Sequence, residues 1–218
     1  MKKNALLLIL IFTVTAFFAP GNLFAQKTTE PFNGTNLSNW NFVIQNNAAP
    51  ASEVFMVKDG VIHITGAPLG YMYTKEKYGN CLLHVEWRWD EGESNSGIFI
   101  LIEDPTNPFP NGIECQLAAG KAGDLVMLGG SNLEEFVLNP GETRPAFPII
   151  SKKNPSSEKE AGEWNEADIY VIDGVISIYI NGQYQNTGSN RVKFGHVGLQ
   201  SEGKAVQFRN IQITRLEA

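Results

Sequence analysis

Residues 169–185 read IYVIDGVISIYINGQYQ. Runs of β-branched and aromatic residues are separated by two dipeptides, Asp173-Gly174 and Asn181-Gly182. Asp-Gly and Asn-Gly suit the tight turn whose two central residues both take positive φ. The stretch therefore predicts antiparallel hairpins over residues 167–187. The same device recurs in FMVKDGVIHI, residues 55–64, around Asp59-Gly60, and predicts a hairpin over residues 53–65.

Between these hairpins the alternation is clear. In CLLHVEWRWD, residues 81–90, Leu83, Val85, Trp87 and Trp89 share one face with Cys81. His84, Glu86 and Arg88 share the other, because successive side chains of a strand point to opposite faces. SGIFILIE (96–103), GIECQLA (112–118), GHVGLQ (195–200) and VQFRNIQITRL (206–216) read as further strands. No stretch of helical length shows helical periodicity, and SNLEEFVL (131–138) offers at most one helical turn. The polar run SKKNPSSEKEAGE (151–163) reads as a surface loop. Many short strands with turn signals between them predict one all-β domain, a sandwich or a barrel. Trp87 and Trp89 belong to its core. Tyr71 and Tyr73 share a face in GYMYTK and read as packing residues before they read as a sugar-stacking surface.

Composition supports a folded, secreted domain. The chain has 218 residues, 43% hydrophobic and only 18% charged, enough for one sizeable core. Lys2 and Lys3 precede the apolar stretch Ala5–Phe18, Pro20 and Gly21 break it, and Leu23-Phe24-Ala25 offers a cleavage site before Gln26. This pattern predicts a signal peptide over residues 1–25, with the domain over 26–218 and an exported, periplasmic or extracellular product. No Cys lies near the cut to carry a lipid, so no membrane anchor is expected. The formal net charge is −6, and cleavage would remove two of the positive charges. An acidic chain without a basic cluster argues against nucleic acid as a partner. Cys81 and Cys115 both fall on apolar strand faces, so a disulfide and two buried thiols remain equally good readings.

The candidate site begins at GIECQL. Ile113, Cys115 and Leu117 share the apolar face, which leaves Glu114 and Gln116 together on the other. If that outer face is concave, polar side chains from neighbouring strands converge there, and Glu86 and Arg88 are expected to join them. A carboxylate, an amide and a guanidinium would supply donors and acceptors for a polyhydroxylated ligand. The plain alternative is a solvated face with Glu86 and Arg88 paired across strands. His63, His84 and His196 show no metal-ligand or triad spacing. Asp90, Glu91, Glu93 and Asn95 carry oxygen ligands but no complete calcium-loop pattern, and read as a solvated loop.

Taken in order, FNGTNLSNW, VKDGVI, YGNCLLHVEWRW, NSGIFI, GIECQL, AGEWNEADI, YINGQ and GHVGLQ with VQFRNIQI make the chain similar to the 3-keto-disaccharide hydrolase domain family over residues 30–216. The resemblance implies a two-sheet antiparallel jelly-roll sandwich of the concanavalin A-like lectin/glucanase type, with a carbohydrate as ligand. It implies a concave-face site with Glu114 as catalytic base or metal ligand. Gln116, Asn95, Ser96 and Lys121 would bind or orient the sugar, as would Gln200 and Glu202 at the GLQ segment. The implied reaction is base-assisted elimination of a 3-keto glycoside followed by hydration, in which a divalent metal could assist enolate formation. Two positions depart from the family pattern: Leu101 stands where Arg is frequent, and Glu202 where His is frequent. These departures keep a second reading open, a non-catalytic carbohydrate-binding module on the same face. A third is a structural or interaction domain with no small ligand and with unknown protein partners.

Overall fold

The computed structural model describes residues 27–90 and 92–217. The expected signal peptide, its cut before Gln26, and Glu91 lie outside the described residues. In chain order the strands are β1 (Thr28–Thr29), β2 (Trp40–Ile44), β3 (Phe55–Lys58), β4 (Val61–Ile64) and β5 (Gly70–Thr74). They continue as β6 (Cys81–Trp89), β7 (Gly97–Ile102), β8 (Gly112–Gln116), β9 (Leu125–Leu128) and β10 (Ile149–Ile150). The last are β11 (Asn165–Ile172), β12 (Val175–Ile180), β13 (Gln183–Ser189), β14 (His196–Ser201) and β15 (Val206–Arg215). One four-residue helix, Ala51–Val54, and one 3₁₀ turn, Gln45–Asn47, precede β3. Residues 131–138 hold a turn rather than a helix.

The strands form two antiparallel sheets. The first has the order β13-β12-β11-β6-β15-β4-β3, with β1 added on β15; the second has the order β10-β9-β8-β7-β14-β5-β2. The fold is a two-sheet jelly-roll sandwich. Its hairpins turn where Asp59-Gly60, Asp173-Gly174 and Asn181-Gly182 predict. All six of these turn residues have positive φ, between 50° and 85°, the geometry that matches the right-handed twist of the flanking strands.

The core lies between the sheets. Cys81, Leu83, Val85, Trp87 and Trp89 of β6 meet Ile98 and Ile100 of β7, Ile113 and Cys115 of β8, and Leu125 and Met127 of β9 in one cluster. Trp87 has no exposed surface and Trp89 almost none. Cys81 and Cys115 are both buried and unbridged, which settles the thiol reading. Burial removes the charged form's water, and it pushes the Cys81 thiol up to about 11. Neither thiol is reactive by the usual criterion of a stabilised thiolate.

Candidate functional site

The second sheet carries the site, on the face turned away from the core. Register places Phe99 of β7 and Val126 of β9 directly on either side of Glu114, and Gly97 opposite Gln116. On β14, Gly198 stands beside Phe99, and Gln200 pairs with Tyr71 of β5. A sheet face that alternation alone would leave to solvent instead holds a second apolar cluster: Tyr71, Phe99, Ile102, Val126 and Leu128. Phe109, from the loop after β7, packs on this cluster and stacks against Phe147 at 4.8 Å between ring centroids. These loop aromatics help explain why β7 and β9 are buried on both faces.

Glu114 sits in this apolar frame and is 3% exposed. Its side chain lies over Gly97, where any Cβ would run into its carboxyl group. Glycine is required there for close approach and not for its φ, which is not positive. Its Oε1 has no hydrogen-bond partner among the described residues. Burial is the main cause that raises the carboxyl from 4.5 to about 8, and the charge of Glu202 adds to it. Glu202, partly buried, is raised as well by burial, against the hydrogen bond that Gln200 Nε2 donates to its Oε2 at 2.8 Å.

The polar rim is built by the ends of β7 and β14. Ser96 Oγ donates to the carbonyl of Gln200 at 2.8 Å and ties the two strands together. Gln200 is fully buried, and its Oε1 has no partner. The same holds for Asn95 Oδ1 and for the hydroxyl of Tyr71. Of the seven buried side-chain polar atoms without partners among the described residues, these three and Glu114 Oε1 belong to this face and its rim. Buried acceptors left open cost stability unless something supplies donors. The hydroxyl groups of a sugar are donors of that kind.

Other expected site residues fall elsewhere. Gln116 is adjacent to this face, but its Oε1 accepts from the backbone N–H groups of Leu117 and Ala118 at 3.0 and 2.9 Å and braces the turn after β8. Lys121 is exposed on that turn. Glu86 and Arg88 do not join Glu114, which corrects the expectation. Their strand, β6, lies in the first sheet between β11 and β15, so they face the opposite side of the sandwich. There Arg209 Nε donates to Glu86 Oε2 at 2.6 Å and Arg88 Nε to Gln207 Oε1 at 2.7 Å. Period-two alternation tells which residues share a face of a strand, and it carries no information about which sheet holds the strand. Leu101 takes a left-handed φ of 57° at a bulge of β7, and its side chain enters the core, 2% exposed. The position thus gives nothing to the outer face.

Sequence reading missed Gly97, Phe99 and Val126 as the frame of Glu114. The signal was present in GIFILI, a continuous apolar run of strand length, which is what a strand buried on both faces requires.

The model of the 3-keto-alpha-glucoside-1,2-lyase-like domain matches residues 27–214. The chain belongs to this family. No curated protein matches it. Among solved structures it is similar to a Parabacteroides distasonis protein whose assignment as a glycosyl hydrolase is provisional, with 23% identity, 87% of this chain and 100% of that one covered, and a TM-score of 0.63. It is also similar to a Bacillus licheniformis β-glucanase, at 13% identity, 88% and 98% coverage and a TM-score of 0.56. A third likeness is to the carbohydrate-binding module CBM66 of Bacillus subtilis, at 9% identity, 80% and 94% coverage and a TM-score of 0.57. At such identities the structural likenesses speak for the jelly-roll sandwich alone. It is the family match that makes this a carbohydrate-active domain.

Proposed function

We propose that this chain is an exported hydrolase of 3-keto glycosides in which Glu114 is the general base. The observation that carries the reading is the state of Glu114: a carboxyl buried between Phe99 and Val126, with no hydrogen bond to its buried oxygen among the described residues and its titration raised to about 8. A carboxylate is ordinarily too weak a base for a carbon acid. Burial makes its charged form a stronger one and brings it near the operating pH. A keto group at C3 acidifies the proton on C2. Glu114 takes that proton to give an enolate, the enolate's electrons form a C1=C2 double bond as the bond from C1 to the glycosidic oxygen breaks, and the proton held by Glu114 passes to the leaving oxygen, directly or through water. Water then adds across that double bond, its hydroxyl to C1 and its proton to C2.

Asn95, Gln200 and Glu202 would orient the sugar through their oxygens, and Ser96 would hold Gln200 in place. Gln116 and Lys121 would act only from the rim. A divalent metal has no part in the proposal. Among the described residues no group of three or more His, Cys, Asp and Glu side chains is placed to hold one.

The engagement of Gln116 with its own turn favours the rival reading, a module that binds sugar without cleaving it. One experiment separates the two. Purified protein is incubated with 3-keto glucosides and their unoxidised parents while free sugar release is followed. Release from the oxidised substrates alone supports the proposal; binding of either without release supports the module.

A further inference from the structure

The outer face of the first sheet carries a second feature that the chemistry at Glu114 does not use. Register lines up His84, Asp168, Tyr179 and Tyr184 across β6, β11, β12 and β13. Tyr170 joins them on β11. The rings of Tyr170 and Tyr179 lie 5.9 Å apart, and those of Tyr179 and Tyr184 5.5 Å apart, both edge to face. Asp168, Tyr170, Tyr179 and Gly182 line a depression of about 350 Å³. His84 donates from Nδ1 to Asp168 Oδ1 at 2.7 Å, which holds the carboxylate in place. Among the described residues no donor reaches its other oxygen.

We propose that this tyrosine-lined depression is a second carbohydrate-binding subsite, on the side of the sandwich opposite Glu114. Tyrosine rings offer apolar faces to the C–H faces of a sugar and hydroxyl tips to its oxygens. An oriented carboxylate with a free oxygen accepts from sugar hydroxyls. Lys153 adds a donor at the edge of the patch: its ammonium lies 5.8 Å from the Tyr184 ring and 3.4 Å from the Tyr184 hydroxyl. The volume of the depression falls in the range of small-molecule sites, about 300–1,000 Å³. The site stands independently of the reaction at Glu114.

The test is titration of the ¹⁵N-labelled protein with cellotetraose, laminaritetraose and maltotetraose, read by amide shifts. At least one probe should give saturable shifts in β11–β13. Tyr179→Ala should weaken that response about tenfold, the scale of one lost aromatic contact. Glu114→Gln should leave it unchanged. Should Tyr179→Ala fail to fold, the more exposed Tyr170→Ala replaces it. No saturable shift in these strands with any probe, or a response that survives both tyrosine substitutions, overturns the proposal. Shifts there that grow with protein concentration without sugar and vanish in Tyr179→Ala would assign the patch to self-association and overturn it too.

Discussion

Replacing Glu114 by Gln should make the protein more stable at alkaline pH while removing its activity. The two side chains have nearly the same shape, so packing against Phe99 and Val126 and the contact over Gly97 survive. Only the titration is lost. Glu114 ionises near 4.5 when unfolded and near 8 when folded, mainly because it is buried and secondly because Glu202 is charged. Between these values the folded state keeps a proton that the unfolded state has released, so stability falls as pH rises. The contribution is fully present below 4.5 and is lost by the time pH has passed about 8. Each pH unit is worth about 1.4 kcal/mol, which makes the total roughly 5 kcal/mol. For a domain of this size, where each kcal/mol moves Tm by about 2–4 °C, the gap at pH 9 is on the order of 10 °C or more. Thermal melts of both proteins from pH 4 to pH 9 read it directly. The curves should meet at acid pH and separate above it, with the Gln variant higher. Parallel curves would refute the buried-carboxyl argument. Turnover of a 3-keto glucoside by the variant should fall by about 10² to 10⁴, the usual cost of a lost general base.

Three further outcomes follow from the same geometry. Gly97→Ala should displace the Glu114 carboxyl and cut turnover by at least about tenfold, since misplacing a reacting group by an ångström costs up to about 10²-fold; unchanged turnover would deny that Gly97 cradles the base. Glu202→Gln removes the negative charge that adds to the raised titration of Glu114, so the alkaline rise of the pH–rate profile should move to lower pH; a profile that stays in place would leave burial as the sole cause. Glu86→Ala breaks the pair with Arg209 and the hydrogen bond from Asn210 on the far sheet, so it should lower stability by about 1–2 kcal/mol and leave turnover intact; a loss of turnover measured beside a melting curve would contradict the placement of Glu86.

Local chemistry carried much of the fold into the sequence. Asp59-Gly60, Asp173-Gly174 and Asn181-Gly182 announce their hairpins because few other dipeptides tolerate positive φ at both central positions. The alternation of Cys81 to Trp89 announces which face of β6 enters the core, because the pleat has a period of two. The opposition of Glu114 to Ile113 and Cys115 is legible for the same reason. What the period of two cannot carry is the assignment of strands to sheets. Glu86, Arg88, Glu114 and Gln116 look alike in sequence, and the strand order alone sends two of them to one side of the sandwich and two to the other. The state of Glu114 is likewise tertiary. Its raised titration comes from burial on a face shared with Phe99 on β7 and Val126 on β9, and from Glu202 beyond β14, all brought together by long-range pairing. Desolvation depends on everything within a few ångströms of a group. No window of sequence around Glu114 contains those atoms.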